Sequence, residues 1–149
     1  MPQTIRLHRV IKAPPERVYR AFTTPEAMVK WLPPHGFAAQ VHEFDARVGG
    51  RYRMSFINFS ANSKNSFGGE FLELVPCRRI RHTDRFEDAN LPGEMITTVD
   101  LKDVFCGTEL HVVQEGVPDM IPEQACYLGW QESLQLLALL VEPTIPDGA

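Results

Sequence analysis

The chain has 149 residues, of which 44% are hydrophobic and 23% charged, a balance that matches one ordinary globular domain able to bury a core. Its net charge of -4 gives no electrostatic basis for binding DNA, RNA or an anionic membrane, so nucleic acid is not expected as a partner. Cys77, Cys106 and Cys126 are odd in number, widely spaced and without a C-x-x-C pair, which argues against a disulfide framework and a thiolate zinc site and suits a reducing cytoplasm.

The start, Met1-Pro2-Gln3-Thr4-Ile5-Arg6, lacks the apolar core of a signal peptide. No apolar run approaches the roughly 20 residues of a membrane span, so a soluble cytoplasmic protein without membrane insertion is expected. Thr4 to Ile11 alternates as a strand does. Ala13-Pro14-Pro15-Glu16 then stops it and offers Pro15 as the first residue of a short helix to about Phe22. Thr24-Pro25-Glu26 repeats the signal, with Thr24 as cap, and predicts a second short helix ending near Trp31 before Pro33-Pro34.

From Phe37 to Gln114 the segments are strand-like, divided by turn signals at Gly49-Gly50, Asn62-Ser63-Lys64-Asn65, Pro76, Asn90-Leu91-Pro92-Gly93 and Cys106-Gly107. Six strands joined by short turns predict an antiparallel meander with one buried face. Alternation is clearest from Ile80 to Phe86: Arg79, Arg81, Thr83 and Arg85 share one face, and Ile80, His82, Asp84 and Phe86 the other. The arginines belong outside, as a solvated strand face rather than a phosphate clamp, which turns His82 and Asp84 inward. By the same parity Tyr52, Met54, Phe56 and Asn58 point in, while Arg51 and Arg53 point out. Leu72 and Leu74 point in with Glu70 on their face, although the opposite face, with Phe71 and Glu73, fits almost as well. Met95, Thr97, Val99 and Leu101 form an inner face against Glu94, Thr98, Asp100 and Lys102 outside; Leu110, Val112 and Gln114 are inner on the last strand.

Pro118 and Pro122 end the strands, Pro122 being placed in the first turn of a helix whose apolar period is about 3.6. Tyr127, Trp130, Leu134, Leu137 and Val141 fall on one stripe, flanked by Cys126, Ser133, Ala138 and Leu140. Pro143 and Pro146 terminate it. The stripe needs an apolar surface, and the sheet supplies one, so the predicted class is α+β: a curved antiparallel sheet, in the order β-α-α-β6-α, wrapped on a long carboxy-terminal helix. Gly129 costs the helix about 1 kcal/mol relative to Ala, a cost that a close backbone approach or space for a ligand would offset.

The order of elements carries Ala13-Pro14-Pro15-Glu16-Arg17-Val18, Trp31, Asp45-Ala46-Arg47-Val48-Gly49-Gly50-Arg51-Tyr52, Gly69-Glu70-Phe71-Leu72-Glu73-Leu74-Val75-Pro76, Gly107-Thr108-Glu109-Leu110 and Gly129-Trp130. In these pieces, taken in this order, the chain resembles the Hsp90-ATPase-activator-homologue-1-like family of the START-like, or polyketide-cyclase-like, helix-grip superfamily. The resemblance implies a cavity between the terminal helix and the sheet that holds a hydrophobic small molecule. It does not imply one reaction, because relatives include carriers, receptors, sequestering proteins, cyclases and a co-chaperone domain. The eukaryotic co-chaperone has a further amino-terminal domain that this sequence does not contain, so no Hsp90 role is expected.

His82 and Asp84 are the candidate catalytic or recognition pair. On one strand face they stand about 7 Å apart, close enough to touch one substrate but not ideally placed for direct coupling. Buried Asp84 needs a partner, whether His82, an Arg, a hydroxyl or a ligand donor. Candidate ligand contacts are Trp31, Tyr52, Met54, Phe56, Glu70, Leu72, His82, Asp84, Phe86, Met95, Thr97, Val99, Gln114, Tyr127, Trp130 and Leu134. Nothing matches a nucleophile elbow, a phosphate loop, a dinucleotide fingerprint or an H-E-x-x-H site, so neither cofactor nor metal is expected. His8, His35, His42 and His111 read as lone surface residues. A binding protein with a stress-related role is therefore the first reading. A cyclase, hydrolase or isomerase with His82 or Asp84 as base and Tyr52 or Gln114 orienting a carbonyl is the second. A protein-interaction or co-chaperone-like module, with a homodimer suggested by outward Leu128 and Leu139, is the third.

Overall fold

The structure, a computed structural model, describes residues 2–146. The elements run β1 (Gln3–Ile11), α1 (Pro15–Thr23), α2 (Pro25–Trp31), β2 (Phe37–Phe44), β3 (Arg51–Asn58), β4 (Ser63–Val75), β5 (Arg79–Phe86), β6 (Met95–Val104), β7 (Gly107–Val117) and α3 (Glu123–Val141). All seven strands form one antiparallel sheet in the order β1-β7-β6-β5-β4-β3-β2. The meander of β2 to β7 is closed by β1, which pairs with β7 at an edge. This is the predicted α+β helix-grip architecture, with α1, α2 and α3 against the inner face.

Each helix begins where proline dictates, with one difference from expectation. Pro15 and Pro25 open α1 and α2. Pro122 instead stands before α3 in an extended conformation (φ -59°, ψ 136°), and its carbonyl accepts the N–H groups of Ala125 and Cys126 at 3.0 and 3.2 Å. Thr24 occupies the cap position of α2, but its side chain makes no capping hydrogen bond. Between β3 and β4 the turn closes at Asn62, the residue that takes a positive φ of 56°, so Ser63 to Asn65 already belong to β4.

Leu134, Leu137, Ala138 and Val141 of α3 are buried, whereas Leu140 turns out of the stripe and is exposed with Leu128 and Leu139. The stripe joins a core that includes Val18, Phe22, Trp31, Met54, Val99, Leu101, Leu110 and Val112. Trp31 satisfies its indole N–H on the carbonyl of Ala21 at 2.9 Å and packs edge-on against Phe22, with ring centroids 4.6 Å apart. Ser133 Oγ donates to the carbonyl of Leu32 at 2.6 Å, fastening α3 to the end of α2. Thr98, expected outside, is on the outer face but buried there, between its cross-strand neighbours Arg81 and Val113.

One bulge settles the inner face of β4. Phe71 pairs with His82, yet Glu73 pairs with Arg81, so Leu72 is the extra residue. Phe71 is therefore buried, Leu74 packs on the core beyond the bulge, and Glu70 and Leu72 are exposed. Nearby, Gly69 lies against β5 so closely that a Cβ there would stand 1.8 Å from the carbonyl oxygen of Thr83. A side chain at 69 would push β4 away from β5 just where the site described below is built.

Candidate functional site

Between α3 and the inner face lies a cavity of about 640 Å³. Its depth is set by the buried residues Trp31, Tyr52, Phe71, Asp84, Met95 and Thr97, and its rim by the exposed residues Phe37, Asp88 and Ala125. Aromatic rings dominate the wall nearest β3 and β4: Phe56 and Phe67 meet edge-on at 4.9 Å, and Tyr52 packs on Phe71 at 5.9 Å. Gly129 faces this space, and a Cβ on it would meet nothing within 4 Å. Of the two readings of Gly129, the open space applies and the close backbone approach does not.

Ten of the sixteen candidate contacts line the cavity: Trp31, Tyr52, Phe56, His82, Asp84, Phe86, Met95, Thr97, Gln114 and Trp130. Six do not, each for a physical reason. Glu70 and Leu72 are turned out by the β4 bulge. Met54 points inward but is fully buried, with Tyr52 and Phe56 on either side along its strand and Phe67 opposite. Val99 and Leu134 are core residues. Tyr127 faces the sheet edge, where its hydroxyl accepts the N–H of Arg6 at 3.3 Å and helps cap the otherwise open β1. Both Tyr127 and Leu134 line a separate depression of about 500 Å³ beside β1. Sequence reasoning missed Phe22, Phe44, Phe67 and Phe71 on the cavity wall; for Phe67 and Phe71 the signal was the alternative parity of β4.

The polar side of the cavity is a directed chain of hydrogen bonds. Trp130 Nε1–H donates to Gln114 Oε1 at 3.1 Å, Gln114 Nε2–H donates to Thr97 Oγ1 at 3.2 Å, and Thr97 donates to Asp84 Oδ2 at 2.5 Å. From the other side the Tyr52 hydroxyl donates to Asp84 Oδ1, and His82 Nδ1 lies 3.0 Å from the same oxygen. Of the partners expected for a buried Asp84, His82 and hydroxyls are the ones present, and the contact with His82 is closer than the strand spacing suggests. Their backbones are two residues apart on one strand, but both side chains lean into the same space and close the gap.

The electrostatics follow from this geometry. Burial alone would raise the Asp84 carboxyl, but the His82 charge and the hydrogen bonds from His82, Thr97 and Tyr52 prevail and hold it below its usual range. Burial alone would lower His82; the Asp84 carboxylate overrides it, and the imidazole is held above its ordinary value. Burial, followed by the neighbouring Asp84 charge, pushes the Tyr52 phenol well up. Chemically, Asp84 is a weak base enclosed by three donors, and Tyr52 has already spent its single proton. Nε2 of His82 makes no hydrogen bond among the described residues, and it is not sealed inside the protein. It is the free polar atom of the network.

A pH dependence follows. The raised His82 contributes stability that is complete below its unfolded pKa of 6.5 and disappears as pH rises through the folded value. The lowered Asp84 contributes stability that is complete above 3.8 and disappears as pH falls through its folded value. Thermal melts should therefore show the pair's full contribution between these two limits, and His82→Gln should remove the decline on the alkaline side. An unchanged alkaline limb in that variant would contradict the ion pair.

Elsewhere the arginines of β5 lie on the outer face, as expected: Arg79 is 3.2 Å from Asp100, and Arg85 is 3.7 Å from Glu94. The histidines correct the reading of isolated surface residues. His8 and His111 stand opposite each other across β1 and β7, with ring centroids 4.7 Å apart and Glu109 beside both. His42 bonds Ser55 Oγ at 2.7 Å, and His35 lies 3.4 Å from Glu132. No helix among the described residues is long and apolar enough to cross a membrane.

Comparison with known proteins agrees with the architecture. A crystal structure of a protein from Chromobacterium violaceum is 63% identical, covers 97% of this chain and 100% of its own, and superposes with a TM-score of 0.95. Structures from Rhodobacter sphaeroides (22% identical, covering 92% of this chain and 90% of that one, TM-score 0.82) and Nitrosomonas europaea (22%, 93% and 94%, TM-score 0.78) share the fold. A search of curated proteins found no match. The sequence profile described as "Activator of Hsp90 ATPase homolog 1-like protein" matches residues 12–142, nearly the whole chain. With the curved seven-stranded sheet and its three helices, that match makes this chain a member of the activator of Hsp90 ATPase homologue 1-like family, on the START-like helix-grip fold.

Proposed function

We propose that this chain is a binding protein that holds one apolar small molecule between α3 and the sheet, with an acceptor oxygen of that molecule on Nε2 of His82. The observation that carries this reading is the cavity of about 640 Å³, whose wall is mainly aromatic and aliphatic and whose buried polar chain of Tyr52, Asp84, Thr97, Gln114 and Trp130 is paired internally, leaving Nε2 of His82 as its unpaired end. Small-molecule sites have this character: a large apolar lining and a few fixed polar groups that set orientation. The raised His82 favours the imidazolium, so Nε2 carries a proton to donate.

Protein purified from its own cells and examined by native mass spectrometry should carry one small molecule per chain, released on denaturation. Bare protein that also fails to bind an environment-sensitive apolar dye would count against the proposal.

A second reading rests on the same pair. Asp84 orienting His82, with the other imidazole nitrogen accessible, is an arrangement suited to acid catalysis in a cofactor-independent cyclase, hydrolase or isomerase. His82 rather than Asp84 would be the acting group. If the co-purified molecule changes mass or structure on incubation, and His82→Ala stops the change, this reading replaces simple binding.

A further inference from the structure

On the outer face of the sheet, away from the cavity, the β1–β7 register sets His8 directly across from His111. Glu109 is two residues from His111 on the same strand, and strand alternation puts it on the same face. Nε2 of His8 is 3.1 Å from one oxygen of Glu109, and Nε2 of His111 is 3.7 Å from the other. The donor atoms of all three side chains lie within 4.8 Å of one another. We propose that His8, Glu109 and His111 form a binding site for a divalent transition ion of the zinc class, which would staple the edge strand β1 to β7.

The geometry argues for this ion class. Zinc takes imidazole nitrogen and carboxylate oxygen at roughly 2.0–2.1 Å in a tetrahedral shell, which places neighbouring donors roughly 3.4 Å apart. The two nitrogen–oxygen distances present here, 3.1 and 3.7 Å, bracket that spacing. Two neutral imidazoles and one carboxylate suit Zn²⁺, Ni²⁺ or Co²⁺ and are a poor donor set for Ca²⁺ or Mg²⁺, which require mostly oxygen. Three protein donors leave a further position for water. A hydrogen-bonded strand pair fixes the backbone beneath all three, so binding needs only side-chain adjustment.

The charges around the site are mixed. Lys102 on β6 lies opposite Glu109 and opposes a cation, while Asp100 lies opposite His111 and favours one, although it is shared with Arg79. The three donors are half-exposed or partly exposed, so the ion would reach them directly from solvent.

The test is calorimetric titration of the untagged, chelator-treated full chain with Zn²⁺ alone, repeated with His8→Ala, His111→Ala and Glu109→Gln. One ion should bind per chain. Loss of a hydrogen-bond partner that orients a metal ligand costs roughly 10–100-fold, so loss of the ligand itself should weaken binding at least about tenfold. Zn²⁺ should also raise the Tm of the parent chain and not that of the variants. Co²⁺ should give a visible spectrum without thiolate charge transfer, which separates this site from capture by the three cysteines. Absence of stoichiometric binding, wild-type affinity in correctly folded His8→Ala, or a thiolate spectrum would each overturn the proposal. None of these outcomes depends on the cavity or its occupant.

Discussion

Asp84→Ala should destabilise the protein by about 3–5 kcal/mol, the range for removing one member of a buried, hydrogen-bonded charge pair. Three donors converge on this carboxylate, from Tyr52, Thr97 and His82; Thr97 would lose its acceptor, and Tyr52 and His82 would be left with the Thr83 carbonyl at 3.3 Å. Leaving a buried hydroxyl without a partner costs about 1–3 kcal/mol. His82 limits the total because it can shed its proton once the carboxylate is gone. Asp84→Asn retains one acceptor oxygen and should lie lower, at about 1–3 kcal/mol. Urea denaturation followed by circular dichroism gives both values; an Asp84→Ala variant within about 0.5 kcal/mol of the parent would show that the network does not support the fold.

The same physics separates stability from function. Replacing an entire buried polar network by well-packed apolar groups is often neutral or stabilising, whereas breaking it in one place is not. A triple variant, Tyr52→Phe, Asp84→Leu, Thr97→Val, should therefore recover much of the stability lost in Asp84→Ala. It should not recover recognition, since His82 would no longer be held and charged toward the cavity. The directed chain from Trp130 through Gln114 and Thr97 to Asp84 is then best understood as a device that fixes one imidazole, since an apolar core could stabilise the fold without it.

Much of this was readable from the chain before any coordinates. Prolines at 15 and 25 placed two helix starts to the residue, and the Arg79–Arg81–Arg85 alternation placed His82 and Asp84 inside. Those signals are local, and local signals survive without knowledge of the fold. The errors concern register. Leu72 is turned out by a bulge that no alternation rule locates, and the pairing that brings His8 to His111 spans about a hundred residues of sequence. Tyr127 sits near the edge of its helical stripe, and only the position of β1 decides that its hydroxyl caps a strand instead of facing the cavity. His82 is one of the partners a buried Asp84 calls for, but their 3.0 Å contact is closer than the strand rule suggests, because strand geometry gives backbone spacing while side-chain lean decides contact.

Filling the space at Gly129 should separate binding from folding most cleanly. A Cβ at 129 meets nothing within 4 Å, so Ala is accommodated and removes the helix penalty of glycine, with an expected gain of about 1 kcal/mol. Its single methyl leaves most of the cavity open, and affinity for a bound apolar molecule should change little. Gly129→Trp grows from the same open position into the cavity between Trp130, Ser133 and the aromatic wall. It should leave the melting transition cooperative, because no backbone stands in its way, yet it occupies the volume a ligand would need. Apolar dye or the co-purified molecule should then bind more than about a hundredfold more weakly, equivalent to roughly 2.8 kcal/mol. Intrinsic fluorescence and calorimetry of the three proteins measure this directly. Wild-type affinity in a folded Gly129→Trp variant would mean that the occupant does not use the space beside Gly129, because a close-packed indole there excludes other atoms from it.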